Sequence, residues 1–270
     1  MRSVNRIPIF VLTLEHRTDR QESAQISLDK AEVEFSYIIS KKSEDKEKFR
    51  AMEMATQIEV AIWGSHIKAL QALLETKSQW ALVLEDDFIL TETVLELLQN
   101  QKRIDSILKT IGNHYSILQI GYLENTGRTG PRRLVANVFK WIFGFNRFDF
   151  RSYTQNLIYL GFKNRNALDR VLKENGLGTT KLLFGHRLGT HAYFVNRDAA
   201  KLLIDIFENR ESLPNFMVND QFILNLTKNF SREPILRAAR LSKSFVMQSL
   251  SPSDNVNRTP PQVLNFDRKV

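Results

Sequence analysis

The chain has 270 residues, of which 43% are hydrophobic and 25% are charged, a composition typical of a folded globular protein. It contains no cysteine, which excludes disulfide scaffolds, thiolate zinc sites, iron–sulfur clusters and a cysteine nucleophile. The net charge of +8 is uneven, because residues 1–127 carry 15 basic and 19 acidic side chains while residues 128–270 carry 23 and 11. The basic half indicates an anionic partner: a nucleic acid, a membrane surface or a phosphorylated substrate.

The first half of the chain alternates between predicted strands and predicted helices. Apolar runs predict strands at residues 7–14, 35–39, 80–84 and 116–120. Thr56 and Glu59 have the spacing of a capping box and open a helix with one apolar face. A second helical pattern runs from Thr91 to about Leu108.

The second half of the chain is less regular. Residues 124–133 predict a loop, and residues 157–160, 192–195 and 245–247 predict short strands. Asp198 is the predicted cap of one helix, and another begins near Asp220. Because strands alternate with helices, the sequence predicts a single α/β domain over residues 1–250, with a basic and aromatic insertion at 124–151 and an irregular tail at 251–270.

The most informative feature is the end of the predicted strand at residues 80–84, where three carboxylates follow directly: Glu85, Asp86 and Asp87. Open α/β sheets bind ligands at the carboxyl ends of their strands. Clustered like charges need a counter-charge, and an oxygen-rich site of this kind favours Mn²⁺ or Mg²⁺, which bridges a nucleotide diphosphate. The structural alternative is an acidic loop that caps the following helix.

Several sequence blocks resemble glycosyltransferase family 25, which includes bacterial lipopolysaccharide galactosyl- and glucosyltransferases. Residues 9–14 followed by Arg17 and Arg20 resemble its opening strand and L-x-x-R-x-x-R segment. Residues 65–69 resemble the SHLKA part of its second block, residues 81–87 match its ALVLEDD block, and residues 189–193 resemble its GTHAY block. These blocks occur in the family's order and extend over most of the chain.

The resemblance implies a fold, a reaction and a donor. The fold is a GT-A-type, Rossmann-like nucleotide-sugar-binding domain with a mainly parallel mixed sheet flanked by helices. The reaction is an inverting transfer of a hexose from a UDP-sugar, with galactose expected before glucose, to a lipopolysaccharide or other glycan acceptor. The implied cofactor is Mn²⁺ or Mg²⁺, which activates the UDP leaving group.

Asp87 is the first candidate metal ligand, with Glu85 or Asp86 supporting it or contacting the donor ribose. His191 precedes a strand and completes the metal shell or contacts the acceptor, unless it is structural. Asp220 is the candidate catalytic base, because it occupies the position of an acidic residue in the family; the alternative is a helix cap.

Four further side chains are candidate donor contacts. Arg17 and Arg20 follow the first strand, and guanidinium groups suit a diphosphate or the uracil carbonyls, although solvated surface residues have the same pattern. Ser65 and His66 are donor contacts by family position, whereas a histidine on an apolar helix face is otherwise a hydrogen-bonded core residue.

Residues 133–151 predict a membrane or acceptor face. At about 100° per residue, Arg133, Lys140 and Arg147 fall within roughly 40° of one another, opposite an apolar stripe. This is typical of an interfacial amphipathic helix, which binds an anionic membrane, or of a helix that packs on the core with its basic face in solvent. With no export signal, the expected location is the cytoplasm, at the inner face of the bacterial inner membrane.

Two other functions compete with sugar transfer. A nucleic-acid-binding protein would use the basic half, but the sequence has no zinc-finger spacing, RNP motif or recognition-helix pattern, so no nucleic-acid partner is expected. A metal-dependent phosphoesterase would use the same acidic triplet without needing a nucleotide sugar.

Overall fold

The computed structural model of the chain describes residues 7–41, 57–122, 147–178, 180–185, 191–208, 226 and 236–248, with backbone only at 57–60 and 147–151. The strands in this part of the chain are β1 Ile9–Leu14, β2 Ser36–Ser40, β3 Trp80–Glu85, β4 Phe88–Leu90, β5 Ile117–Gly121, β6 Leu182–Phe184, β7 Ala192–Asn196, β8 Ala238–Leu241 and β9 Val246–Gln248. The helices are α1 Thr18–Asp29, α2 Gln57–Glu75, α3 Glu92–Gln99, α4 Gln101–Gly112, α5 Arg147–Leu172 and α6 Arg197–Glu208, and a π-helical turn, Lys173–Leu177, follows α5.

The strands form one mixed sheet in the order β2-β1-β3-β7-β5-β8-β6, with β9 joining β4 to β5. Strand β1 is parallel to β2 and β3, and β5 is parallel to β8 and β9. Strand β7 lies antiparallel between β3 and β5, and β6–β8 and β4–β9 are also antiparallel. The predicted α/β class with a mixed sheet flanked by helices is confirmed, although pairings in the described residues are evenly divided rather than mainly parallel because β7 inserts at the centre.

Helices cover both faces of the sheet, which explains why the central strands are continuous apolar runs. Val11 and Leu84 face a core built with α1, α3, α4 and α5. Leu12 and Val83, on the other face, pack with α2 and α6. Strand β3 is therefore buried from Trp80 to Leu84, and its first partly exposed residue is Glu85.

The topology brings the strand ends that carry polar side chains to one edge of the sheet, here called the carboxyl edge. It contains the carboxyl ends of β1, β2, β3 and β5 and the amino end of the antiparallel β7. Gly121 ends β5 at this edge between β7 and β9, where an added Cβ would lie 2.9 Å from the Val246 Cβ and 3.0 Å from the Ala192 Cβ. Glycine therefore permits the close approach of three strands here.

Two predicted elements are wrong. Residues 157–160 are not a strand but part of α5. Leu160 is buried while Ile158 is 81% exposed, and residues two apart lie on nearly opposite sides of a helix but on the same face of a strand. The cap of α6 is not Asp198 but Asn196, whose Oδ1 accepts a hydrogen bond of 2.9 Å from the Ala199 N–H.

The helix predicted from Thr91 is two helices, α3 and α4, because Asn100 interrupts the first and its side chain caps the second. Helix α1, strand β4, strand β6 and strand β8 were not predicted. The predicted helix near Asp220 and the tail at 251–270 lie outside the described residues, as does the insertion except for residues 147–151, the start of α5. No helix in the described ranges is long and apolar enough to cross a membrane.

Candidate active site

Three elements place the candidate active site at the carboxyl edge. Glu85 is the last residue of β3, and Asp86 and Asp87 form the turn into β4. His191 directly precedes β7, and its carbonyl accepts a hydrogen bond of 2.9 Å from the Glu85 N–H. The pairing of β3 with β7 thus holds residues more than a hundred positions apart side by side.

Glu85, Asp87 and His191 form a potential metal triad, with one ligand atom from each lying within 4.8 Å of the others. Asp87 and His191 are buried, and Glu85 is partly exposed. Glu85 Oε2 and His191 Nδ1 are 3.4 Å apart, a separation that two ligand atoms about 2.0–2.2 Å from one ion can have. Two carboxylates and an imidazole are a chemically suitable donor set for a divalent cation. The structure thus brings together the three residues predicted as metal ligands.

Glu85 lies between two imidazoles. Its Oε2 is 3.4 Å from His191 Nδ1, and its Oε1 is 3.6 Å from His66 Nε2. Burial raises the pKa of Glu85, but His191 and His66 outweigh this effect and hold the pKa well below its usual range. Glu85 is therefore ionised at neutral pH and available as an anionic ligand.

Asp86 points to the other face of the sheet and joins the turn to β1 and α1. Its Oδ2 accepts a hydrogen bond of 2.6 Å from Thr13 Oγ1, and its Oδ1 accepts one of 3.0 Å from Arg20. Burial raises the pKa of Asp86, and the hydrogen bonds from Thr13 and Arg20 oppose the rise. Arg20 also lies 3.5 Å from Asp87 Oδ2, so one guanidinium bridges both aspartates.

The two arginines that follow the first strand lie at the start of α1. Arg17, which precedes the helix, is buried and donates two hydrogen bonds of 2.9 Å to Asp19. The hydrogen bond from Arg17 lowers the pKa of Asp19 to about 2. Arg20 lies three residues further along the helix and reaches Asp86 and Asp87, here called the acidic turn. Both arginines thus lie beside the carboxyl ends of β1 and β3, where a donor contact was predicted.

Ser65 and His66, the two predicted donor contacts on α2, form hydrogen bonds with other residues of the protein. Ser65 Oγ lies 2.8 Å from both Ser40 Oγ and the Ala61 carbonyl, and so joins α2 to the end of β2. His66 Nδ1 lies 2.8 Å from the phenol oxygen of Tyr193, and the two rings stack with centroids 5.8 Å apart.

Tyr193 is the site-associated residue that sequence reasoning missed. It belongs to the GTHAY block, but a tyrosine in an apolar strand has no local signal for a polar role. Burial raises its pKa, and the nearby Glu85 charge raises it further. Asp220, Arg133 and Lys140 lie outside the described residues, and Arg147 is described only as the backbone at the start of α5.

Comparison with known protein families finds a match in the amino-terminal part of the chain. Residues 6–129 match the model of glycosyltransferase family 25, described as an LPS biosynthesis protein. No curated protein matches the chain.

Two solved structures align with most of the chain. A glycosyltransferase involved in the glycosylation of the major capsid of PBCV-1 aligns with 11% identity and a TM-score of 0.45, over 92% of this chain and 94% of that one. The glycosyltransferase GlyE of Streptococcus pneumoniae TIGR4 aligns with 12% identity and a TM-score of 0.40, over 94% of this chain. The chain spans 56% of the length of GlyE.

The family match covers the acidic turn and His66, and it ends before His191. The resemblance predicted from the sequence blocks is therefore confirmed over residues 6–129, the part of the chain that is similar to the model of glycosyltransferase family 25.

Proposed function

We propose that the chain is an inverting, cation-dependent glycosyltransferase that moves a hexose, galactose before glucose, from a UDP-sugar to a lipopolysaccharide or lipooligosaccharide-type glycan. The observation that carries the proposal is the cluster of Glu85, Asp87 and His191 at the carboxyl edge, two of whose members lie in the segment matched by the family. The description of that family as an LPS biosynthesis protein supports the class of acceptor.

Glu85, Asp87 and His191 would hold the cation. Carboxylate oxygens suit Mn²⁺ and Mg²⁺ alike, whereas an imidazole ligand favours Mn²⁺ over Mg²⁺. When bound, the cation would neutralise the charge that develops on the departing UDP diphosphate. The ionised state of Glu85 at neutral pH supports this assignment, because a carboxylate must be deprotonated to bind a metal.

Arg17 and Arg20 are the proposed contacts to the donor diphosphate or uracil. The support is their place beside the acidic turn, since Arg20 already lies within 3.5 Å of Asp87. A guanidinium at this position adds positive charge where the leaving group becomes more negative. Ser65 and His66 on α2 and Asp86 in the turn after β3 are the other proposed donor contacts, and they lie in the same region.

Asp220 is the proposed catalytic base. Its carboxylate accepts the proton of the acceptor hydroxyl as that oxygen forms a bond to the anomeric carbon. The bond from the anomeric carbon to the UDP oxygen breaks on the opposite side, and its electron pair leaves with UDP, so the configuration inverts. Arg133, Lys140 and Arg147 are the proposed contact to acceptor phosphate or to an anionic membrane, which would place the enzyme at the inner face of the inner membrane.

The test is UDP release from a panel of UDP-sugars with Mn²⁺, with and without a lipooligosaccharide acceptor. Asp87→Asn keeps the shape of the side chain but removes the charge, and we expect turnover to fall by about 100-fold or more with the circular dichroism spectrum unchanged. Asp105→Asn is the matched control, because Asp105 is exposed on α4 and bonds to Gln101; we expect wild-type turnover.

Near wild-type turnover of Asp87→Asn would overturn the metal assignment. Release of phosphate from a simple diester, without any requirement for a nucleotide sugar, would instead indicate the phosphoesterase.

A further inference from the structure

A chain of buried polar contacts runs from β7 through α2 to the cation site. Tyr193 and His66 are each 1% exposed, and the phenol oxygen lies 2.8 Å from His66 Nδ1. On the other side of the same ring, Nε2 lies 3.6 Å from Glu85 Oε1. The chemistry of these three groups determines which nitrogen of His66 carries the proton.

A phenol donates its O–H, and a carboxylate only accepts. If Tyr193 donates to Nδ1, a neutral imidazole carries its hydrogen on Nε2, which then faces Glu85 with an attractive N–H dipole. The opposite tautomer would place the Nε2 lone pair against a carboxylate in a buried setting, where repulsion is strong. His66 Nε2 is buried and makes no hydrogen bond among the described residues. Glu85 Oε1, at 3.6 Å, is the charge that an N–H at this position would stabilise.

The sheet fixes this arrangement. Tyr193 pairs with Val83 in the antiparallel β3–β7 ladder, so it lies on the same face as Glu85, two positions along β3. The stacked rings of Tyr193 and His66, inclined by 20°, hold the imidazole over that face.

We propose that Tyr193 and His66 are positioning residues that hold Glu85 in the orientation in which it binds the cation, with Tyr193 selecting the Nε2–H tautomer of His66. This inference rests on the proposed function, because it concerns the same cation site. Residues behind a metal ligand orient it, and their loss typically weakens metal binding by about 10- to 100-fold.

Tyr193→Phe removes the hydroxyl and keeps the ring. We expect the dissociation constant for Mn²⁺ alone, measured by titration calorimetry and by the electron paramagnetic resonance signal of free Mn²⁺, to rise by about 10-fold. Tyr115→Phe is the matched control: Tyr115 is also 1% exposed and donates to the Asn156 side chain, but it precedes β5 at the opposite edge of the sheet. That variant should lose a similar amount of thermal stability and keep wild-type Mn²⁺ affinity.

His66→Gln tests the relay itself, since a glutamine amide offers an N–H toward Glu85 and has no tautomers. We expect this variant to keep most of the Mn²⁺ affinity, and we expect Tyr193→Phe to have no further effect when added to it. Nitrogen-15 shifts of the imidazoles report the tautomer directly, and His66 should be the Nε2–H form in the wild-type protein and a mixture in Tyr193→Phe.

The outcomes separate this inference from the function on which it rests. A wild-type protein that binds no Mn²⁺ overturns the proposed cation site and the inference together. Wild-type binding with an unchanged dissociation constant in Tyr193→Phe, or an Nδ1–H tautomer at His66, overturns the inference alone.

Discussion

Replacing Thr13 by valine tests how the acidic turn is held to β1. The Thr13 hydroxyl donates to Asp86 Oδ2 over 2.6 Å, and both residues are buried. Valine has nearly the same shape, so Thr13→Val creates little cavity and removes one donor from a buried carboxylate. Arg20 continues to donate to Oδ1 at 3.0 Å.

A hydrogen bond to a charged group contributes about 1.5–3 kcal/mol to stability. For a protein of this size each kcal/mol corresponds to about 2–4 °C in Tm, so we expect Thr13→Val to lower Tm by about 3–12 °C at neutral pH.

The effect depends on pH with a definite sign. Burial already raises the pKa of Asp86 above 3.8, and loss of the Thr13 donor raises it further. A raised carboxyl pKa destabilises the folded state while the group is ionised, and this penalty disappears as the pH falls through the folded pKa toward 3.8. The difference in stability between wild type and Thr13→Val is therefore largest at neutral pH and decreases in acid.

The assay is thermal and urea unfolding, each followed by circular dichroism at neutral and mildly acidic pH. Thr180→Val is the matched control, because Thr180 is 3% exposed and its hydroxyl lies 3.0 Å from the neutral Ser242 hydroxyl. We expect a loss of about 1 kcal/mol for the control, equal at both pH values. The reasoning is refuted if Thr13→Val loses no more than Thr180→Val and shows no dependence on pH.

Three further variants test local contacts through thermal unfolding. Gly121→Ala should destabilise the protein by about 1–3 kcal/mol, because its new Cβ would lie within 3.0 Å of Val246 and Ala192; a neutral result would show that β9 can move away. Asn196→Ala removes the cap of α6 and should lower the free energy of unfolding by about 1 kcal/mol. Asn196→Asp keeps a capping oxygen and should have the stability of the wild type. Arg197→Met removes hydrogen bonds of 2.7–3.0 Å to three carbonyls at the end of α2 and should lower the free energy of unfolding by about 2–3 kcal/mol. An equal loss in Arg197→Lys would contradict a role for the guanidinium fork.

Several elements could be predicted from sequence because their signals are local. Strand β3 is an apolar run that ends in three carboxylates, and burial on both faces of a sheet requires that run to be continuous. Helix α2 has one apolar face, and its place between two strands follows from chain order. Helix α1 has no such signal, because only Ala24 and Leu28 of its residues are buried.

The error at residues 157–160 has a physical cause. A short apolar run fits a strand or a helix equally well, and only packing decides between them. In the folded chain Leu160 enters the core while Ile158 and Phe162 stay exposed, with Gly161 at a φ of +70° interrupting α5 between them.

The sequence by itself determined that carboxylates follow a buried strand, and the family blocks identified the histidines that accompany them. Only the tertiary structure decided which of these groups meet, because β7 runs antiparallel beside β3 and brings His191 to Glu85 across 106 positions of the chain. The same pairing separates Asp86, held by Thr13 and Arg20 on one face, from Glu85, held between two imidazoles on the other. Strand register assigns each side chain to a face, and register over such a separation is a property of the assembled sheet rather than of any local segment.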